Sequence, residues 1–267
     1  AIASPGDLRI MLQAEVSAPS TPDGALMKAS HIALDPSGNT VFVTYMLEGP
    51  AAYGGLDIFD VSKPASPSLV SSELFPGADI AAVAYDSNAV FLAGSKEDEA
   101  GNAWVVAIPV RGNKVIVGSY AQAHLPGYFA TDIAVSGDRL YVATGTTANG
   151  AAAGLYILDK NSLALLAKDT GSGRDDLRSV AVEKGMIAAF AAQWPSEGPG
   201  SPTLRLYGDL LASSRTDLSL TGYAAQVEAK SHMEFIGAYL CVACNLSGVA
   251  VIDASAKSIV ANIPPPA

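Results

Sequence analysis

An all-β chain of five similar four-stranded units is what this sequence predicts, and three observations carry the prediction. Apolar segments with period-two alternation recur at steps near fifty residues. Each is followed by further short apolar runs rather than by one long one. Breaker residues, drawn from 25 Gly and 16 Pro, separate the runs along all 267 residues. Period-two alternation marks a strand, because successive side chains leave a strand on opposite faces.

The first run of each unit is His31–Leu34, Ala82–Tyr85, Asp132–Val135, Ser179–Val182 and His232–Phe235, at steps of 51, 50, 47 and 53 residues. A turn such as Asp35–Asn39 or Ser136–Asp138 leads to a second run: Val41–Val43, Val90–Leu92, Leu140–Val142, Met186–Ala188 and Tyr239–Val242. After a loop of variable length comes a third: Gly55–Asp60, Ala103–Ile108, Gly154–Asp159, Thr203–Tyr207 and Gly248–Asp253. A fourth closes the unit at Ser68–Val70, Lys114–Val117, Leu163–Leu166 and Ser258–Val260, and somewhere within Ala212–Leu220 in unit four. One four-stranded sheet cannot bury both of its apolar faces, whereas a ring of such sheets can. The fold expected is therefore a β-propeller of four-stranded antiparallel blades.

The blades are expected at about 28–78, 79–130, 131–175, 176–229 and 230–267 of a single domain spanning 1–267. Residues 1–27 hold one further candidate strand, Leu8–Val16, as a closing strand or the relic of another blade. The sequence leaves open whether five blades close the ring or a longer product continues it.

Composition excludes several classes. Hydrophobic residues make up 49% and charged residues 16%, ample for a large core. The net charge of −10, with basic residues scattered, argues against nucleic acid and against an anionic membrane surface. No apolar run approaches the ~20 residues of a membrane helix. Cys241 and Cys244 have C-x-x-C spacing, but inside a strand-like run and without a second pair, so buried structural thiols are expected. Asn245-Leu246-Ser247 fits a glycosylation sequon, a short pattern that arises often by chance. His124 is expected in an exposed connection between blades.

The third runs bring a family into view. Gly55-Leu56-Asp57-Ile58-Phe59-Asp60, continued to Val70, resembles the LVIVD repeat of bacterial and archaeal envelope proteins, and Gly154–Asp159 and Gly248–Asp253 repeat its first half. Units two and four depart from it, with Ile108-Pro109 and Tyr207-Gly208 where the Asp would fall. The resemblance implies an extracytoplasmic propeller of the cell envelope or surface. It implies no catalytic residues.

Blade alignment places His31, Ala82, Asp132, Ser179 and His232 at equivalent positions near one mouth of the central channel, with Glu234 pointing the same way. His31, Asp132, His232 and Glu234 are candidate ligands for a divalent metal ion, since imidazole and carboxylate suit zinc and similar ions. The alternative is a wet polar channel binding only water or backbone. His31 and His232 are neighbours only if five blades close the ring. Long loops share this face, and Tyr45, Tyr53, Glu97, Asp98 and Trp194 are the candidate partner-binding residues on them.

Two functions follow as expectations. One is a non-catalytic binding or adhesion propeller presenting the loop-rich face to a protein or glycan, with no cofactor. The other is a metal-dependent, lactonase-like hydrolase with its ion at the channel mouth.

Overall fold

The computed structural model describes residues 12–49, 51–96, 102–112, 114–116, 118–145, 153–170, 176–192, 202–208, 215–223 and 231–265. These form five antiparallel sheets in chain order. Blade 1 is β1 (Lys28–Leu34), β2 (Thr40–Met46), β3 (Tyr53–Asp60) and β4 (Ser68–Pro76). Blade 2 is β5 (Ala78–Asp86), β6 (Ala89–Lys96), β7 (Asn102–Arg111), β8 (Lys114–Val115) and β9 (Ala121–Pro126). Blade 3 is β10 (Phe129–Ser136), β11 (Arg139–Gly145), β12 (Leu155–Asp159) and β13 (Leu165–Asp169). Blade 4 is β14 (Asp176–Glu183), β15 (Met186–Ala192), β16 (Thr203–Tyr207) and β17 (Thr216–Ser219). Blade 5 is β18 (Met233–Ile236), β19 (Tyr239–Ala243), β20 (Val249–Asp253) and β21 (Ser258–Ile263).

Apolar side chains fill the spaces between successive sheets. Phe42 and Ile58 of blade 1 pack with Ile80 and Leu92 of blade 2. Phe91 and Val105 meet Val142 and Tyr156, joining blades 2 and 3. Ile157 meets Val180 and Ile187 between blades 3 and 4. Phe190 and Leu204 meet Leu240 and Ile252 between blades 4 and 5. Each fully buried side chain of this size contributes roughly 1.5–3 kcal/mol. Between blades 5 and 1 the described residues form no such cluster. There Ile32, Leu34, Ile236 and Tyr239 stay exposed, and closure is made at the axis, where the His31 and His232 rings lie T-shaped with centroids 5.0 Å apart. Five blades thus surround the axis.

Four of the five inner strands share one irregularity. The register of β1, β5, β10 and β14 against its neighbour slips at Ala29/His31, Ile80/Ala82, Ala130/Asp132 and Leu177/Ser179. A bulge of this kind bends the strand and re-aims the side chains beside it. Gly94 is required at the blade 2 bulge, because a Cβ there would stand 1.8 Å from the Asp79 carbonyl oxygen.

Three sequence expectations change. Lys114–Val117 is not the main outer strand of blade 2: β8 pairs only the tip of β7, while β9 pairs with it from Asn102 to Ala107. His124 therefore sits in β9 opposite Trp104, half-buried, rather than in an exposed connection. Of the candidate strand Leu8–Val16, residues 8–11 lie outside the described residues, and Leu12–Val16 join no strand. This segment is anchored further on by Met27, which is buried near Tyr45 and Gly55. Cys244 is buried in the blade 4–5 core, and Cys241, three residues away on the other face, is half-buried; both are free thiols.

Candidate functional site

The innermost strand of a blade is an edge strand, so half of its backbone groups point to the axis without a ladder partner. The residues just past the bulge supply those partners across the blade boundary. His31 Nδ1 of blade 1 accepts a hydrogen bond from the Val83 N–H of blade 2, at 3.2 Å. Asp132 Oδ2 of blade 3 accepts from the Val180 N–H of blade 4, at 3.0 Å. Ser179 Oγ of blade 4 accepts from the Met233 N–H of blade 5, at 3.0 Å, and donates back to Asp132 Oδ2, at 2.5 Å. In each case the side chain at the aligned position serves the N–H one residue past the aligned position of the next blade. Ala82 offers no acceptor, and the Ile133 N–H turns instead to Asp132 Oδ1, at 2.9 Å. At the last boundary His232 lies against the His31 ring instead.

Alignment of the five units therefore brings together what the sequence placed together. His31, Asp132 and His232 each offer one donor atom within 4.8 Å of the others. Glu234 Oε2 lies 3.6 Å from His232 Nε2, and His232 Nδ1 lies 3.8 Å from Asp132 Oδ2, an ion-pair separation rather than a hydrogen bond. Asp132 is 1% exposed. Burial alone would raise its pKa, but His232 and the Ser179 hydroxyl outweigh burial and hold the carboxyl below its usual range. Asp132 and Glu234, against partial burial, push the His232 pKa up to about 9. His232 is an imidazolium at neutral pH, with both ring nitrogens carrying protons.

The donor set is thus heavily committed. A His31 Nδ1 that accepts from Val83 places the ring proton on Nε2, so neither nitrogen is a ready ligand in that tautomer. Asp132 Oδ2 already accepts two hydrogen bonds. A metal ion would have to displace the His232 protons and break a blade-to-blade hydrogen bond.

His31 and Asp132 lie in mid-strand and His232 immediately before β18, so the cluster sits inside the channel. It forms the inner end of a cavity of about 420 Å³ that opens between the finishing ends of the inner strands, lined by Leu34, Val135, Glu183 and Phe235 among others. The loops joining second and third strands lie at the opposite end. Of the residues predicted there, Tyr45 lies within β2, is buried and bonds to Asp57; burial, with the Asp57 charge and bond, raises its pKa, and it offers no contact surface. Tyr53 begins β3, half-buried, and its N–H reaches Asp79 Oδ1 of blade 2 at 3.3 Å. Glu97, Asp98 and Trp194 lie outside the described residues. Ser179 is the residue whose part sequence reasoning missed; its alignment with His31 and Asp132 was the available signal.

Five antiparallel blades around a hydrogen-bonded axis, four of them four-stranded, define a β-propeller. Three segments are similar to the LVIVD repeat: the model of that repeat matches residues 51–73, 127–159 and 230–261, in blades 1, 3 and 5. These are the units in which the motif was visible. Among solved structures, the WD40 beta propeller domain of Doa1 is similar over 91% of this chain and 70% of that chain, with a TM-score of 0.57 and 10% identity. A likeness at that identity concerns the fold alone. No curated protein matches the chain.

The structure gives the closing Asp of the motif a local task. Asp159 Oδ1 accepts from the Ser162 N–H and hydroxyl, both at 2.8 Å, and from the Asn161 N–H at 3.1 Å. Asp253 Oδ1 accepts from the Ser255 and Ala256 N–H groups at 2.9 and 2.8 Å, and Asp60 Oδ1 from the Ser62 N–H at 2.8 Å. Such an aspartate mimics a backbone turn and fixes the hairpin into the outer strand. Asp159→Ala is expected to lower the melting temperature while Asp159→Asn, which keeps the acceptor, largely restores it. Equal melting of the two variants would mean that charge, not turn geometry, matters there.

Proposed function

We propose that the chain is a non-catalytic binding propeller of the cell envelope, which presents its loop-bearing end to a protein or glycan partner. The observation that carries this reading is the commitment of the axial polar groups to holding blades together. With His31, Asp132 and Ser179 bonded across blade boundaries, the axis acts as scaffold and recognition is left to the loops. The LVIVD repeats support the envelope as the compartment.

The second reading, a metal-dependent hydrolase, draws on the convergence of His31, Asp132 and His232. The two are separated by elemental analysis of chelator-treated protein re-equilibrated with zinc, beside His31→Ala and His232→Ala. The binding reading expects no stoichiometric metal in any of the three. One ion per chain, lost in either variant and accompanied by hydrolysis of a lactone panel, would replace it with the hydrolase. A positive test of the binding reading uses purified envelope fragments and a Glu97→Lys, Asp98→Lys, Trp194→Ala triple variant. Retention on the fragments should fall at least tenfold with unchanged melting.

A further inference from the structure

The cavity at the other end of the axis opens away from the loops, beyond the cluster that links the blades. Its size falls in the range of about 300–1,000 Å³ typical of small-molecule sites. Its wall carries apolar side chains that remain in water: Ile32 is 63% and Leu34 58% exposed. Exposed apolar surface inside a concavity is free energy available to a ligand. At the inner end the charges nearly cancel. Asp132 offsets His232, which leaves Glu234, whose carboxylate stands 3.6 Å from the imidazolium and is itself 70% exposed toward the cavity and solvent. Glu183 at the rim has Lys184 beside it at 3.3 Å. The uncompensated charge is therefore negative and belongs to Glu234.

We infer that this axial cavity is a binding site for a small organic cation, an ammonium group with an apolar body, whose body lies on Ile32 and Leu34 and whose ammonium pairs with Glu234. An anionic ligand would meet the net negative charge left at Glu234. A bare metal ion would gain nothing from the apolar wall. The inference is independent of the loop-end reading, since the site lies at the opposite end of the channel.

The test is ligand-observed NMR titration of the full chain with three probes of equal shape: benzylammonium, benzyl alcohol and benzoate. Benzylammonium is expected to bind about fivefold tighter than the alcohol, the scale of one partly screened charge pair, with benzoate weakest. Glu234→Gln should abolish the difference between benzylammonium and the alcohol. Ile32→Trp or Leu34→Trp, each at an exposed position, should weaken the binding of both. Each variant is compared at equal melting temperature, and either tryptophan variant suffices should the other fail to fold. Benzoate binding as tightly as benzylammonium would overturn the inference. So would a preference unchanged in Glu234→Gln, or no binding of any probe to the parent protein.

Discussion

Asp132→Ala is expected to lower the free energy of unfolding by about 3–5 kcal/mol, the scale for breaking a buried charged network by removing one partner. The carboxylate is 1% exposed and accepts from Val180, Ser179 and Ile133. Its loss orphans two backbone N–H groups and a hydroxyl in a buried place, each costing roughly 1–3 kcal/mol when left unsatisfied. His232 loses its stronger anion at the same time. Three blades are affected by one residue, so the effect should appear as a shift of the whole urea transition rather than as local fraying. Asp132→Asn keeps an acceptor oxygen and should lose less. Ser179→Ala removes the link to Met233 and one donor to Asp132, and should cost about 1–2 kcal/mol. The two sites share a hydrogen bond, so the Asp132→Ala, Ser179→Ala double variant should cost less than the sum. Additive losses would mean that the two residues act separately, and that the axial chain of bonds is not a unit.

What was legible in the sequence followed from local periodicity. The alternation in Asp132–Val135 or Ser179–Val182 is a property of a strand by itself, and its recurrence at about fifty residues is enough to define the blades and align His31, Asp132, Ser179 and His232. The direction of the bonds was not legible. That His31 serves Val83, and Ser179 serves Met233, depends on how far each sheet is rotated from the next, and no pattern within one unit encodes that angle. Blade 2 shows the same limit in its outer strand. Lys114–Val117 alternates as well as Ala121–Pro126 does, and only pairing along the length of β7 decides between them. The sequence predicts Tyr45 in a loop because the run Val41–Val43 is followed by Thr44. The ladder extends to Met46 because Gly54 and Gly55 continue the pairing without side chains that would crowd it, and Tyr45 then closes over Asp57.

Stability is also expected to fall by about 1–2 kcal/mol as pH rises from 6 to 9.5, with His232 responsible. Its folded pKa of about 9 lies above the ordinary 6.5. A group raised in this way contributes in full below its unfolded value and loses the contribution as pH climbs through the folded one. The whole shift, at about 1.4 kcal/mol per unit, would give a larger loss. The imidazole is 44% exposed, so water and salt screen the Asp132 and Glu234 charges and the smaller figure applies. Asp132 acts at the other limit. Its pKa is lowered, so its contribution is present above the ordinary 3.8 and is lost as pH falls through the folded value. The groups facing His232 are Asp132, Glu234 and His31. Burial raises the Cys241 and Cys244 pKa values above 9.0, which keeps both thiols from titrating early in the window. His232→Gln is the control that isolates the charge. Chemical unfolding at pH 6 and 9.5 should show the parent protein losing stability and the variant nearly level, so that the two converge at high pH. Parallel losses would assign the pH dependence to another group. Convergence would identify the pairing of His232 with Asp132, blade 5 with blade 3 across the axis, as the contact that alkali weakens.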